Sequence, residues 1–244
     1  MKILGIIPAR FASSRFPGKP LADINGKSMI QLVYEQALKA KSLQKVVVAT
    51  DDARILNHVL EFGGDAVMTS SSHPTGTDRC FEALEKAGGA SKYDYAINIQ
   101  GDEPFIDPDI IDQLSSLLDF KTEIATAVKK ITEYNILRDP NVVKAVLTMR
   151  KQCLYFSRQV VPFVRDVEPD QWLAKADFYN HIGIYAYRSD VLEQISHIPI
   201  SPLENTEKLE QLRWLGYGYK VYAIVTNYES IGIDTEEDLE KIRR

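Results

Sequence analysis

Ile6-Ile7-Pro8-Ala9-Arg10-Phe11-Ala12-Ser13-Ser14-Arg15-Phe16-Pro17-Gly18-Lys19-Pro20-Leu21 runs from a short apolar strand straight into a loop of cations, hydroxyls and turn residues. The strand is the first beat of an alternation that sets the fold. Apolar runs of strand length at 3–7, 46–50, 66–68 and 96–100 alternate with amphipathic helical stretches at 29–38, 55–62, 80–86 and 110–118. Strands buried on both faces read as continuous apolar runs, and a helix between two of them supplies the crossover that parallel pairing needs. Over 29–38, Ile30, Val33, Tyr34 and Ala37 share one helical face and Leu38 widens it. Ser14 and Ser28 read as cap or turn residues, and Gly63-Gly64 and Gly88-Gly89 as helix ends. The expected class is α/β, with a Rossmann-like, mostly parallel or mixed central sheet flanked by helices.

The second half changes texture. Longer strand candidates stand at 124–130, 142–147 and 182–187, with an irregular, proline-bearing stretch at 161–175. A helix-like run at 206–215 precedes a strand at 221–225 and an amphipathic helix from Glu236. No linker is visible, so one domain over 1–244 is expected, with a smaller lid or dimerisation insert around 150–215.

A chain of 244 residues with 29 basic and 34 acidic side chains, formal charge -5, is long enough for a full core and too acidic for a generic nucleic-acid coat. Its two cysteines, Cys80 and Cys153, lie in apolar surroundings and read as core thiols, with no zinc or CxxC spacing. The opening apolar run is too short for a signal peptide or membrane span, so a cytoplasmic location is expected.

Chemistry gathers at three places. In the opening loop Arg10, Arg15 and Lys19, with amides freed by the turns, suit a polyphosphate, although the GxxxxGK[ST] pattern of a P-loop is absent. Ala96-Ile97-Asn98-Ile99-Gln100-Gly101-Asp102-Glu103-Pro104 is a strand ending abruptly in an acidic turn, and strand carboxyl ends are where open α/β sheets collect ligands. Ile231-Gly232-Ile233-Asp234-Thr235-Glu236-Glu237-Asp238 ends in the form of a helix capping box, with Asp234 just before it. A basic surface loop, a Gly-Asp turn and an acidic cap would explain each segment singly. Two carboxylates at separate strand ends, Asp102 and Asp234, make a magnesium site for a nucleoside triphosphate the stronger joint reading.

The ordered set Ile7-Pro8-Ala9-Arg10, Ser14 to Leu21, Gly76-Thr77-Asp78-Arg79, Gln100-Gly101-Asp102-Glu103-Pro104, Tyr155-Phe156-Ser157-Arg158, His181-Ile182-Gly183-Ile184-Tyr185-Ala186-Tyr187, Ser201-Pro202-Leu203-Glu204, Glu207 to Arg213 and Gly232-Ile233-Asp234 resembles the 3-deoxy-manno-octulosonate cytidylyltransferase family. The resemblance runs from Ile6 nearly to Arg243. It implies transfer of CMP from CTP to the acidic sugar 3-deoxy-D-manno-octulosonate (Kdo), with pyrophosphate released, for lipopolysaccharide synthesis. It implies CTP contacts from Pro8, Ala9, Arg10, Ser14, Arg15, Lys19, Gly76, Thr77 and Gln100, and Mg2+ held by Asp102 and Asp234. Arg10, Arg15, Lys19, Asp102 and Asp234 would then be the catalytic set, and Arg158, His181, Tyr185, Glu210 and Gln211 the sugar wall, in a homodimer that binds no nucleic acid. Two positions depart from the common pattern. Asp78 replaces a frequent glutamate, and Asn180 a frequent arginine, which leaves an amino-substituted Kdo or another acidic sugar as an alternative acceptor. Without the resemblance, His181 would read as a structural histidine, Arg158 as solvent-facing, and Glu210 and Gln211 as part of a polar stripe. Of Tyr185 and Tyr187, one would be core and the other a ligand contact.

Overall fold

A computed structural model describes residues 1–12 and 16–243. Strand β1 (Ile3–Ala9) is buried along nearly its whole length. A small hairpin, β2 (Asp23–Ile24) and β3 (Lys27–Ser28), leads into helix α1 (Met29–Ala37), whose cap is the Ser28 hydroxyl accepting from the Gln31 amide at 3.2 Å. There follow β4 (Lys45–Thr50), α2 (Ala53–Glu61), β5 (Ala66–Met68) and α3 (Gly76–Ala87). Helix α3 begins before the apolar run at 80–86, because Thr75 and Asp78 close a capping box that pulls the first turn back to Gly76. Next come β6 (Tyr95–Asn98), α4 (Pro108–Ser115), β7 (Ile124–Lys130) and the short α5 (Tyr134–Arg138). Strand β6 stops at Asn98, so Gln100 belongs to the turn.

Strands β8 (Lys144–Leu147) and β9 (Cys153–Ser157) form an antiparallel pair, and a single helical turn, α6 (Trp172–Lys175), interrupts the irregular stretch. The long strand β10 (Tyr179–Arg188) is followed by α7 (Ser189–His197). The expected helix at 206–215 is two helices, α8 (Pro202–Glu207) and α9 (Gln211–Gly216). A capping box between Ser201 and Glu204, with Pro202 at the first helical position, starts α8 early, and Lys208 at φ 54° ends it. Strand β11 (Val221–Thr226) and helix α10 (Glu236–Ile242), capped by Thr235 and Asp238, complete the chain.

The sheet order is β11-β7-β10-β6-β1-β4-β5. β6, β1, β4 and β5 run parallel, as do β7 and β11, while β10 lies antiparallel to both β6 and β7. This is the mixed, largely parallel sheet expected. Alternation along β1 splits the core between its two faces: Ile3 and Ile7 pack with Ile30, Val33 and Ile110, and Leu4 and Ile6 with Cys80, Leu84 and Trp214. Among the described residues no helix is long and apolar enough to cross a membrane.

The antiparallel insertion of β10 brings its first half beside the carboxyl end of β6. On its other edge the register against β7 shifts between Ile182 and Tyr185, and the buried Thr126 hydroxyl fills the irregularity, donating to the Ile184 carbonyl at 2.8 Å. On the other side of β6, the Gly101 backbone passes so close to β1 that a Cβ there would lie 2.6 Å from the Pro8 carbonyl oxygen. Since the obstructing atom is backbone, Gly101→Ala is expected to destabilise by about 1–3 kcal/mol, measured as a lower urea midpoint with unchanged slope. An unaltered midpoint would refute the tight approach.

Candidate active site

Gly18, at φ 73°, turns the opening loop, and a Cβ in its place would meet the Phe11 ring at 3.2 Å. The turn delivers Lys19, whose ammonium donates to Asp102 Oδ2 at 2.7 Å and Asp234 Oδ1 at 3.3 Å. Residues 83 and 215 positions apart from Lys19 thus meet on one cation. Both predicted metal carboxylates and the predicted catalytic lysine are brought together. Ser14 and Arg15 lie outside the described residues.

The acidic turn and the late segment are joined further. The Ile233 amide donates to the Asp102 carbonyl at 2.9 Å, and the fully buried Ile233 side chain packs with Phe16, Ile24, Met29 and Leu239. Glu103 is also buried, accepting from the Tyr228 hydroxyl at 2.8 Å and from the Ser230 hydroxyl at 2.7 Å. Burial raises its pKa above the ordinary carboxylate value, while the two hydroxyls oppose that shift. Sequence reading missed Tyr228 and Ser230, which stand in a segment without periodicity.

On the nucleotide side, Arg10 leaves β1 and donates from Nη2 to the carbonyls of His73 at 2.8 Å and Thr75 at 3.0 Å, tying β1 to the start of α3. Burial first, then the neighbouring Arg79, lowers its pKa, with Asp51 and Asp78 pulling the other way. A Cβ on Gly76 would lie 3.9 Å from Asn98 Nδ2 and 4.0 Å from Pro8 Cγ, so Pro8, Gly76 and the end of β6 form one wall. Ala9 is the last, buried residue of β1. Asp78 retains the capping role open to a longer glutamate, accepting from the Thr75 amide at 3.2 Å and hydroxyl at 2.7 Å.

Gln100 connects this wall to the sugar-side residues by donating to the Gly183 carbonyl at 2.7 Å. His181 shares a 3.0 Å contact with Thr126 and packs against Phe156 and Tyr185 at ring-centroid distances of 5.1 and 5.2 Å. The one Thr126 proton serves the Ile184 carbonyl, so the His181 ring is the donor from Nε2 and its Nδ1 is left as an acceptor. Burial pushes the His181 pKa down to about 3. Tyr185 and Tyr187 do not divide between core and ligand. Two positions apart on a strand, they share a face, stack at 5.8 Å and are both buried against Trp214. The Tyr185 hydroxyl has no hydrogen-bond partner among the described residues.

Glu210 accepts from the Thr77 hydroxyl at 3.1 Å and from Arg213 Nη2 at 2.9 Å, linking α3 to α9. Burial raises its pKa and Arg213 offsets part of the rise. Gln211, next to it, is buried at the first position of α9. Arg158 stands apart from this group: its Nε donates to the Glu207 carbonyl at 2.8 Å and its Nη1 to the Pro140 carbonyl at 3.0 Å. Asn180, His181 and Gly183 line a cavity of about 400 Å³ with Lys129, Lys130 and Tyr228. Lysines thus stand near Asn180.

Neither cysteine offers a nucleophile. Burial raises the Cys80 pKa and pushes that of Cys153 up to about 12. Among the described residues no three His, Cys, Asp or Glu side chains gather as a metal cage. Two hard carboxylates converging on one cation are instead the donor set suited to Mg2+, which draws its remaining ligands from water and phosphate.

The sequence matches the cytidylyltransferase family over residues 4–231. It is 52% identical over 246 residues to a 3-deoxy-manno-octulosonate cytidylyltransferase of Parabacteroides distasonis, covering 99% of this chain and 96% of that protein. It is 46% identical over 242 residues to an 8-amino-3,8-dideoxy-manno-octulosonate cytidylyltransferase of Shewanella pealeana, covering 98% and 96%. A solved structure of CMP:2-keto-3-deoxy-manno-octonic acid synthetase complexed with CTP superposes with a TM-score of 0.91 at 42% identity, covering 100% of this chain and 97% of that one.

The His181 environment yields a stability test. Its folded pKa of about 3 lies below the ordinary 6.5, so above pH 6.5 the ring is neutral in both folded and unfolded chains. As pH falls below that value only the unfolded ring takes a proton, and stability is lost by up to about 1.4 kcal/mol per pH unit. His181→Asn should therefore show a smaller fall in urea-unfolding free energy between pH 7.5 and pH 5 than the parent chain. Parallel curves would contradict the neutral ring packed between Phe156 and Tyr185.

Proposed function

The chain belongs to the 3-deoxy-manno-octulosonate cytidylyltransferase family, and from that premise we propose how its residues join CMP to Kdo. The observation that carries the reading is the meeting of Lys19, Asp102 and Asp234 at the end of β1 and β6. In the transfer, a sugar hydroxyl oxygen bonds to the α-phosphorus of CTP. The bond from that phosphorus to the β-bridging oxygen breaks, pyrophosphate leaves, and the hydroxyl proton is lost to water.

Asp102 and Asp234 are the residues that would hold Mg2+. When bound, the ion would supply Lewis-acid stabilisation of charge on the phosphate oxygens. Lys19 brings an ammonium to the same point, a mobile donor for phosphate oxygens. Arg10 holds the Thr75 end of α3 against β1, and Pro8, Ala9, Gly76, Thr77 and Gln100 form the nucleotide wall. Ser14 and Arg15 extend the phosphate loop in this reading. On the sugar side, His181 offers Nδ1 as an acceptor and Glu210 and Gln211 add polar contacts, and for Tyr185 to meet the sugar its buried hydroxyl must first be uncovered. For Arg158 to pair with the sugar carboxylate, it must exchange the two carbonyls that now hold it.

We place homodimer contacts around 150–215, where Leu154 and Phe163 are 58% and 74% exposed, within a single 1–244 domain. The setting inferred is the cytoplasm, with CMP-Kdo passing to lipopolysaccharide synthesis. The amino-sugar relative and Asn180 favour one second reading, an 8-amino acceptor in place of Kdo.

Pyrophosphate release should require CTP, Mg2+ and one of these sugars together, and a panel of Kdo and its 8-amino analogue separates the two readings. Turnover with a sugar 1-phosphate and none with either acid would overturn both. Asp102→Asn and Asp234→Asn should each lower kcat/KM by about a hundredfold or more, about 2.7 kcal/mol. The double variant should lose little beyond either single change, since both serve one ion. Independent, multiplicative losses with unchanged Mg2+ dependence would argue against the shared site.

A further inference from the structure

Between the end of β11 at Thr226 and the start of α10 at Glu236, the chain has neither strand nor helix, yet this segment carries Asp234. A carboxylate on such a segment reaches a fixed point only if the backbone around it is tied down. Three ties act close to Asp234: its own amide on Asp238 Oδ2 at 3.3 Å, the Ile233 amide on the Asp102 carbonyl, and the Ile233 side chain in its small apolar cluster. The beginning of the segment is tied by Glu103, whose Oε2 accepts from Tyr228 and whose Oε1 accepts from Ser230. Each oxygen takes one hydroxyl, at 2.8 and 2.7 Å, and both hydroxyls come from the segment that bears Asp234.

Burying a carboxylate without a cationic partner is costly, and ordinary turn chemistry after Gly101-Asp102 gives no reason for it. The arrangement acquires a reason once its geometry is followed. Glu103 is the neighbour of Asp102 in sequence, so whatever it grips is placed relative to Asp102. We propose that Glu103 is a positioning residue, clamping the 227–234 segment through Tyr228 and Ser230 so that Asp234 is presented to the same cation as Asp102. Glu103 sets divalent-cation affinity without itself meeting the ion. The proposal rests on the assignment of Asp102 and Asp234 as Mg2+ ligands, and it adds the residues that hold the pair in register.

The test uses Tyr228→Phe, Ser230→Ala and their double variant, which remove the clamp hydroxyls and leave Asp102, Asp234 and Glu103 in place. Three quantities are measured: Mn2+ binding by electron paramagnetic resonance without nucleotide, the Mg2+ concentration for half-maximal turnover at saturating CTP, and CTP affinity in EDTA by calorimetry. The double variant should weaken Mn2+ binding and raise the Mg2+ half-saturation roughly tenfold, as loss of an outer-sphere support does. CTP affinity in EDTA should stay within about twofold of the parent, a split that a general loosening of the fold would not produce. Adding Glu103→Gln to the double variant should cause little further change in either metal readout.

Unchanged Mg2+ half-saturation and Mn2+ affinity in the folded double variant overturn the proposal. Should that variant fail to melt cooperatively, Tyr228→Phe alone decides by the same criteria. Asp234→Asn serves as the control that separates the two ideas. If it weakens metal binding and the clamp variants do not, positioning by Glu103 is wrong and the metal assignment stands. If it leaves metal binding untouched, the metal assignment is wrong, and the positioning proposal falls with it.

Discussion

The ammonium of Lys19 between Asp102 and Asp234 is the contact on which the site's architecture turns. It draws together the opening loop, the turn after β6 and the segment after β11. Its three side chains are 15%, 30% and 49% exposed, so solvent screens the ion pairs and they contribute little to stability. What holds these segments is the apolar packing of Phe16 with Ile233, the close passage of Gly101 over Pro8, and the bond from Ile233 to Asp102. The charges are thus carried to one place by contacts that do not need them. That separation lets the cluster exchange partners without releasing the segments that bear it.

The sheet makes the meeting possible. β1 lies between β6 and β4, so the loop after β1 and the turn after β6 emerge side by side at the strand ends where ligands gather in such sheets. β10 enters from the opposite direction and runs on past the end of β6 at Asn98, so the Gln100 side chain meets the Gly183 carbonyl. Had β6 continued two residues further, its backbone would have taken that carbonyl into the ladder.

Much of this was legible in the chain. The strands Ala66–Met68 and Ile124–Lys130 stand where their apolar runs end against polar or turn residues, and Ser28 and Thr235 cap the helices that follow them. Asp102 and Asp234 could be paired because each ends a strand-like run in an acidic turn. Other features leave no local trace. The direction of β10 is set by which edges remain to be paired, and the break at Lys208 places an ordinary lysine in a left-handed conformation. Tyr185 and Tyr187 were open to a better reading, since a period of two puts both on one face. Tyr228 and Ser230 belong to a stretch whose order comes from Glu103, more than a hundred residues away.

The polar groups around β6, β10 and α9 carry the argument one step further. Asn98 Oδ1 and the Tyr185 hydroxyl are buried without partners among the described residues, while Glu210 is half-buried between Thr77 and Arg213. An unsatisfied buried polar atom costs about 1–3 kcal/mol, and apolar residues of similar shape would cost less. The same chain packs Ile, Val and Leu elsewhere with no such defect, so composition does not impose it. A fold keeps unmet polar groups where stability is not the property being preserved. Here Asn98 and Tyr185, paired across β6 and β10, stand beside the wall formed by Pro8, Gly76 and Gln100, next to the residues proposed to do the chemistry.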